Sequence, residues 1–158
     1  MISKGDKKLF LIDAYALIYR AYFAFSKNPR ITSKGLDTSA VYGFTNILWD
    51  LINNENPHYL GVVFDTPKKT HRHIEYVDYK ANRDAMPEGI STAIPYIHNI
   101  LEAFNIPIIF LEGFEADDII GTLAKQADKK GFQTYMITPD KDFAQLVSPT
   151  TFMFRPGT

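Results

Sequence analysis

Short apolar runs alternate along this chain with stretches of helical periodicity. Leu9–Ile12, Tyr59–Phe64, Ile106–Leu111 and Phe132–Ile137 have the pattern of strands buried on both faces of a parallel sheet. Between them, Tyr15 to Phe25 is apolar and aromatic, and Thr38 to Asn53 carries Val41, Phe44, Ile47, Leu48 and Leu51 at helical spacing. Asn53 to Pro57 reads as a turn. Pro87 opens a helix running to about Phe104. Ala116 to Lys129 forms another, which Gly131 ends as a C-terminal cap. A short helix follows Pro139, and Thr151 to Phe154 reads as a fifth strand. This alternation predicts an α/β fold: a Rossmann-like, three-layer α/β/α domain with a mainly parallel central sheet. Thr66 to Met86 is polar, basic and aromatic without a clean period, and the fold does not account for it.

Acids follow each of the first four runs. Asp13 ends the first and Asp65 the second; Glu115, Asp117 and Asp118 follow the third; Asp140 and Asp142 follow the fourth. In an open α/β sheet ligands sit at the carboxyl ends of the strands, so all seven acids are expected to converge. Packed together unpaired, they would repel one another and take up protons. Divalent cations would neutralise them, and an all-oxygen set favours Mg2+ or Mn2+.

Each acid also has a plainer reading. Glu115, Asp117 and Asp118 open a helix, where acids complement the dipole. Thr138-Pro139-Asp140 looks like a helix start, with Thr138 as cap. Asp13 could cap the first helix, and Asp65 could start the turn at Pro67. Capping explains any one acid, but the Glu115–Asp118 group and the Asp140/Asp142 pair are redundant as caps, which favours a shared metal site.

At 158 residues the chain has the size of one domain. It has no cysteine, which excludes disulfides and thiolate metal sites and fits the cytoplasm. No apolar stretch approaches membrane-spanning length, and the N-terminus lacks the pattern of a signal peptide. The net charge of −1 conceals a split. From Lys68 to Arg83, the cations Lys68, Lys69, Arg72, Lys80 and Arg83 outnumber Glu75 and Asp78, which suits an anionic partner. Lys80 and Arg83, three residues apart and flanked by Tyr76 and Tyr79, suit single-stranded nucleic acid, where cations track phosphates and rings stack on bases. His71 and His73 are more simply solvated or phosphate-facing than zinc ligands. There is no G-x-x-x-x-G-K-[ST] or G-x-G-x-x-G phosphate loop. Tyr15 occupies the position where an aspartyl phosphatase would carry its second acid. Metal-assisted phosphodiester hydrolysis remains.

These residues resemble a known family. Leu11-Ile12-Asp13-Ala14-Tyr15 with Tyr19-Arg20, Thr32-Ser33-Lys34-Gly35, Ala40-Val41-Tyr42-Gly43-Phe44, Val63-Phe64-Asp65 and Arg72-His73 follow one another in family order. Tyr79-Lys80-Ala81-Asn82-Arg83, Glu112-Gly113-Phe114-Glu115-Ala116-Asp117-Asp118 and Thr138-Pro139-Asp140-Lys141-Asp142 complete the series. Together they are similar to the N-terminal part of the 5′-3′ exonuclease domain of bacterial DNA polymerase I, within the flap endonuclease, or PIN-like, nucleases.

The resemblance implies a divalent-metal-dependent 5′-3′ exonuclease and 5′-flap endonuclease with two ions, acting on DNA with 5′ ends or flaps. It implies that Asp13, Asp65, Glu115 and Asp117 serve one ion, and that Asp118, Asp140 and Asp142 serve or border the second, with Asp117 shared. It places Lys80 and Arg83 on a basic helical arch, about residues 66–95, against the scissile phosphate, with Asp117 among the catalytic groups. Arg20, Arg72 and Tyr79 would join Lys80 and Arg83 in contacting DNA. Tyr19, Tyr22 and Phe23 are expected in the core rather than as a wedge at a strand end. The resemblance places the protein in the cytoplasm, with the nucleoid. Family members continue into a helix-hairpin-helix region carrying a further aspartate pair, and residues 1–158 contain neither that region nor a polymerase. A catalytically weak DNA-binding fragment and a metal-dependent phosphatase are the alternative readings.

Overall fold

The computed structural model describes residues 7–66 and 84–156. Five strands form one parallel sheet: β1 (Lys7–Asp13), β2 (Tyr59–Val63), β3 (Ile108–Ile109), β4 (Phe132–Ile137) and β5 (Thr151–Phe154). Their spatial order is β3-β2-β1-β4-β5, with every pairing parallel. The order reverses between β1 and β4. Such a switch point opens a crevice at the carboxyl ends of the two strands, because their connections leave toward opposite faces.

Among the described residues, four α-helices cover the sheet: α1 (Ala14–Ala24), α2 (Ser39–Asp50), α3 (Glu88–Ala103) and α4 (Ala116–Asp128). Period-2 alternation divides the strand residues between two cores. Phe10, Ile12 and Val62 pack with Leu17, Ile18, Phe44, Ile90 and Ile97 from α1, α2 and α3. Leu11, Val63 and Met136 face the other way, onto Ile119 and Ile120 of α4 and onto Phe143. The architecture is therefore the three-layer α/β/α arrangement expected. None of the described helices is long and apolar enough to cross a membrane.

The helices form where the periodicity puts them, with local amendments. After α2 the chain continues as a π-helical turn, Leu51–Glu55, closed by Asn56 at φ 46°. Gly131 takes φ 76° after α4, as its capping role requires. The third strand is much shorter than Ile106–Leu111. Only Ile108 and Ile109 pair with β2, while Phe110 and Leu111 are 61% and 54% exposed. The segment after Pro139 is a 3₁₀ turn, Lys141–Leu146, capped by Asp140 rather than Thr138. Most of the basic stretch, including Arg72, Tyr79, Lys80 and Arg83, lies outside the described residues, as does most of the expected arch. Residues 88–95 of that segment belong to α3.

Candidate active site

The carboxyl ends of the strands open into a cleft of about 780 Å³. Asp13, Asp65, Glu115, Asp117 and Asp140 all line it. Asp118 and Asp142 are not among its lining residues. The sheet and helix starts thus bring together five of the seven acids expected to converge, from positions distant in sequence.

Asp13 sits at the end of β1 and is only 7% exposed. Its Oδ1 accepts from Ala16 N at 3.4 Å, capping α1. Its Oδ2 accepts from Thr138 Oγ1 at 3.0 Å. Thr138 is fully buried beyond the end of β4, and its hydroxyl oxygen also accepts from Asp140 N at 3.1 Å. One hydroxyl therefore ties the ends of β1 and β4 together at the switch point. Burial, and to a smaller degree the charges of Asp65 and Asp140, push the Asp13 carboxyl from 3.8 up to about 6; the hydrogen bonds from Thr138 and Ala16 oppose the rise. Desolvation disfavours the ionised form, and nearby like charges add to that cost.

Asp65 follows β2, and its Oδ1 accepts from Ala116 N at 2.7 Å, which pins the start of α4 to the end of β2. Glu115 is the N-cap of α4 and forms a capping box with Asp118, whose Oδ2 accepts from Glu115 N at 3.3 Å. Asp118 is thus engaged at the helix start. Asp117 Oδ1 accepts from Asp118 N at 2.7 Å. Asp140 Oδ1 accepts from Asp142 N at 2.9 Å, and Asp142 itself is exposed. Among the described residues no three acids or histidines close on one point tightly enough to form a ready-made metal cage.

The remaining walls are aromatic and apolar. Tyr15, Tyr19 and Phe23 line one side, with Met86, Pro87 and Phe143 elsewhere on the lining. Burial, then the neighbouring Asp65 charge, raise the Tyr15 phenol above its ordinary value of 10. Tyr19 and Tyr22 pack against the core as expected, but Phe23 does not: it is 55% exposed and lies on the cleft. It sits near the end of α1, with its ring against those of Tyr19 and Tyr22. Arg20 is on the same helix, is half-buried and is not among the lining residues.

The sequence reading missed Thr138 as a partner of Asp13, and Asp84 as a further acid on the cleft. No local pattern marks either one. Both ends of the undescribed stretch meet the cleft, through Asp65 and Thr66 before it and Asp84 to Pro87 after it.

The family model for the 5′-3′ exonuclease, N-terminal resolvase-like domain, matches residues 8–158. The chain is 44% identical over 150 residues to a 5′-3′ exonuclease of Aquifex aeolicus, covering 95% of this chain and 51% of that protein. It is 44% identical over 146 residues to DNA polymerase I of Bacillus subtilis, covering 92% of this chain and 16% of that protein. The chain thus spans about half the length of one relative and a small N-terminal share of the other. Among solved structures it resembles the T5 D15 protein co-crystallised with metal ions, with a TM-score of 0.70 at 19% identity, over 94% of this chain and 55% of that one. It also resembles the catalytic core of Rad2 in complex with DNA substrate, with a TM-score of 0.53 at 18% identity, over 95% of this chain and 44% of that one. At such identities the shared property is the fold. The profile match and the close relatives settle the lineage: this chain belongs to the 5′-3′ exonuclease family, as its N-terminal resolvase-like domain.

Proposed function

We propose that this domain hydrolyses DNA phosphodiesters as a divalent-metal-dependent 5′-3′ exonuclease and 5′-flap endonuclease. The observation that carries this reading is the convergence of five carboxylates on one cleft at the switch point of the sheet. The donor chemistry fits Mg2+ or Mn2+: every group is a hard oxygen. The raised carboxyl of Asp13 fits as well, because its neighbours Asp65 and Asp140 already oppose its ionisation and a cation would reverse that sign.

Asp13, Asp65, Glu115 and Asp117 would hold one ion, and Asp140 would face a second, with Asp118 and Asp142 bordering it. Such ions supply Lewis-acid activation of water and neutralise charge at the leaving oxygen. The chain's own groups provide the rest. Thr138 holds Asp13 and the Asp140 backbone in register. Asp65 fixes the start of α4. Tyr19 and Phe23 offer ring faces to bases of a single strand entering the cleft. Lys80 and Arg83 belong to a stretch whose flanking residues line the cleft, which supports a role for them against the scissile phosphate, stabilising charge as it develops. Arg20, Arg72 and Tyr79 would contact DNA around them.

A 5′-flap duplex labelled at its 5′ end tests this reading. In Mg2+ or Mn2+ the protein should release the flap and shorten 5′ ends. In chelator, or with Asp65→Asn, it should not. DNA binding without cleavage at any metal concentration would reduce the domain to a binding module. Hydrolysis of small phosphomonoesters in preference to DNA would make it a phosphatase.

A further inference from the structure

Tyr15 stands two residues after Asp13, on the first turn of α1, and no role described so far uses it. Its ring is half-buried and packs against the core that α1, α2 and α3 form on one face of the sheet. It meets the Phe64 ring edge to face, with centroids 5.7 Å apart and planes at 84°. Phe64 is buried and immediately precedes Asp65, so the ring is braced by the segment that delivers Asp65 to the cleft. Packed in this way, the ring is poorly placed to stack on a base. The hydroxyl is the part left to meet a ligand.

That hydroxyl makes no hydrogen bond among the described residues. It is not buried either: the buried side-chain atoms there that lack a partner are His98 Nε2 and Thr134 Oγ1. Tyr15 lines the cleft, so its phenolic oxygen opens onto it, within range of the Asp65 charge. Tyr19 lies one helical turn further on, about 6 Å along the axis, with its ring against Phe23. Since α1 starts at the strand ends and runs away from them, Tyr15 is the phenol on the acids' side.

The lining says what such a donor is for. Six described acids border the cleft: Asp13, Asp65, Asp84, Glu115, Asp117 and Asp140. Among the described residues of the lining there is no lysine, arginine or histidine. An ionised carboxylate only accepts hydrogen bonds, so these acids can hold a phosphate only through cations. The described side chains on the lining that can donate are the hydroxyls of Tyr15, Tyr19 and Thr66, and Thr66 has a partner of its own. A phenol keeps its proton at neutral pH, and tyrosine is among the side chains that donate to phosphate oxygens in protein–DNA contacts.

We infer that Tyr15 donates its phenolic O–H to a non-bridging oxygen of the phosphodiester bound at the acid cluster; the inference rests on the nuclease reading above. A hydrogen bond to an anionic oxygen is shorter and stronger than one between neutral groups. It would orient the phosphate without placing among the acids a cation that would pair with them.

Tyr15→Phe keeps the ring and removes the donor. Wild type and variant are compared on a 5′-flap duplex, by cleavage in Mg2+ and by fluorescence anisotropy in Ca2+, which also takes oxygen ligands. The variant should bind about three- to tenfold more weakly and lose about tenfold or more in kcat/KM, as for a lost hydrogen bond to a charged group. Its thermal midpoint, and its Mg2+ affinity without DNA, should match wild type. The decisive measurement uses flap duplexes with a single methylphosphonate at the cut linkage, as separated Rp and Sp forms, each replacing a different non-bridging oxygen by a methyl. Wild type should outbind the variant on one form and match it on the other, because the coupling belongs to one oxygen. Equal affinity and rate on ordinary DNA, or an undiminished difference on both forms, would overturn the inference and leave the nuclease reading standing. So would weaker Mg2+ binding by the variant without DNA, which would make the phenol a support for Asp65 instead. Wild-type protein that neither bound nor cut flap DNA would overturn both.

Discussion

Asp13→Asn should make the metal-free protein more stable at neutral pH, although it removes a central acid of the cleft. The folded protein holds the Asp13 proton up to about pH 6, whereas the ordinary value is 3.8. Between those values the folded state binds more protons than the unfolded state, so stability falls as pH rises through the window. At about 1.4 kcal/mol for each tenfold change in proton affinity, the full penalty approaches 3 kcal/mol above pH 6. That figure is a net one, since the hydrogen bonds from Thr138 and Ala16 already work against the rise. Asparagine has the same shape. Its carbonyl can accept from Ala16 N, and its amide can donate to Thr138 Oγ1, but the buried Thr138 hydroxyl then loses the acceptor that Asp13 Oδ2 provides, which offsets part of the gain. Urea denaturation in chelator should show the variant more stable than wild type at pH 7.5, by less than the full penalty, with the gap narrowing toward pH 4. Added Mg2+ should reverse the order, because ligand binding stabilises only the form that holds it. A gap independent of pH, or a variant less stable at every pH, would refute the claim that ionising Asp13 costs folding energy.

The other expectations can be checked on the same purified protein. Thr138→Val leaves Asp13 Oδ2 and Asp140 N without their shared partner and should cost about 1.5–3 kcal/mol in denaturation. It should also weaken Mg2+ binding in calorimetric titration, and Thr138→Ser should restore both. Gly43→Ala should destabilise by about 1–3 kcal/mol through overpacking, because the new Cβ would lie 2.8 Å from Ala21 Cβ and 3.2 Å from its Cα. Gly121→Ala, which meets only the tip of Leu146 at 3.2 Å, should be close to neutral in the same thermal melts. Lys80→Ala with Arg83→Ala should lower flap cleavage by about 10²-fold or more with an unchanged melting midpoint, and normal cleavage would remove both from the active site.

Most of the architecture was legible because buried parallel strands and their crossover helices carry different periods. The exceptions have specific causes. Ile106–Leu111 is as apolar as a central strand, yet β3 is the edge of the sheet and only two of its residues find partners in β2. Hydropathy reports a tendency to be buried and does not distinguish an edge from a centre. The chain then turns at Gly113, φ 85°, to deliver Glu115 to the cleft. Phe23 departs from the expectation as well, because helical spacing gives the face of α1 but not which of its residues a neighbouring element covers. Thr138 was read as a local cap because its neighbours in sequence suggest one, whereas its partner Asp13 lies 125 residues away. That contact exists only because the strand order reverses between β1 and β4.

The acids posed a choice between capping and ligation that the structure dissolves. Asp13 caps α1 through Oδ1 and still lines the cleft. Glu115 caps α4, and Asp140 caps the 3₁₀ turn, and both line it as well. A carboxylate has about four lone-pair sites, so accepting one backbone N–H leaves capacity facing the cleft. The backbone bond also fixes the rotamer, which an ion-binding group requires if its geometry is to be set in advance. Helices begin where strands end, so in a parallel α/β sheet the capping positions and the ligand positions are the same places. Capping signals at strand ends are therefore no argument against a metal site there. The discriminating signal is their number at a single end of the sheet: five acids on one cleft exceed what the helix starts need, and that excess is what calls for a cation.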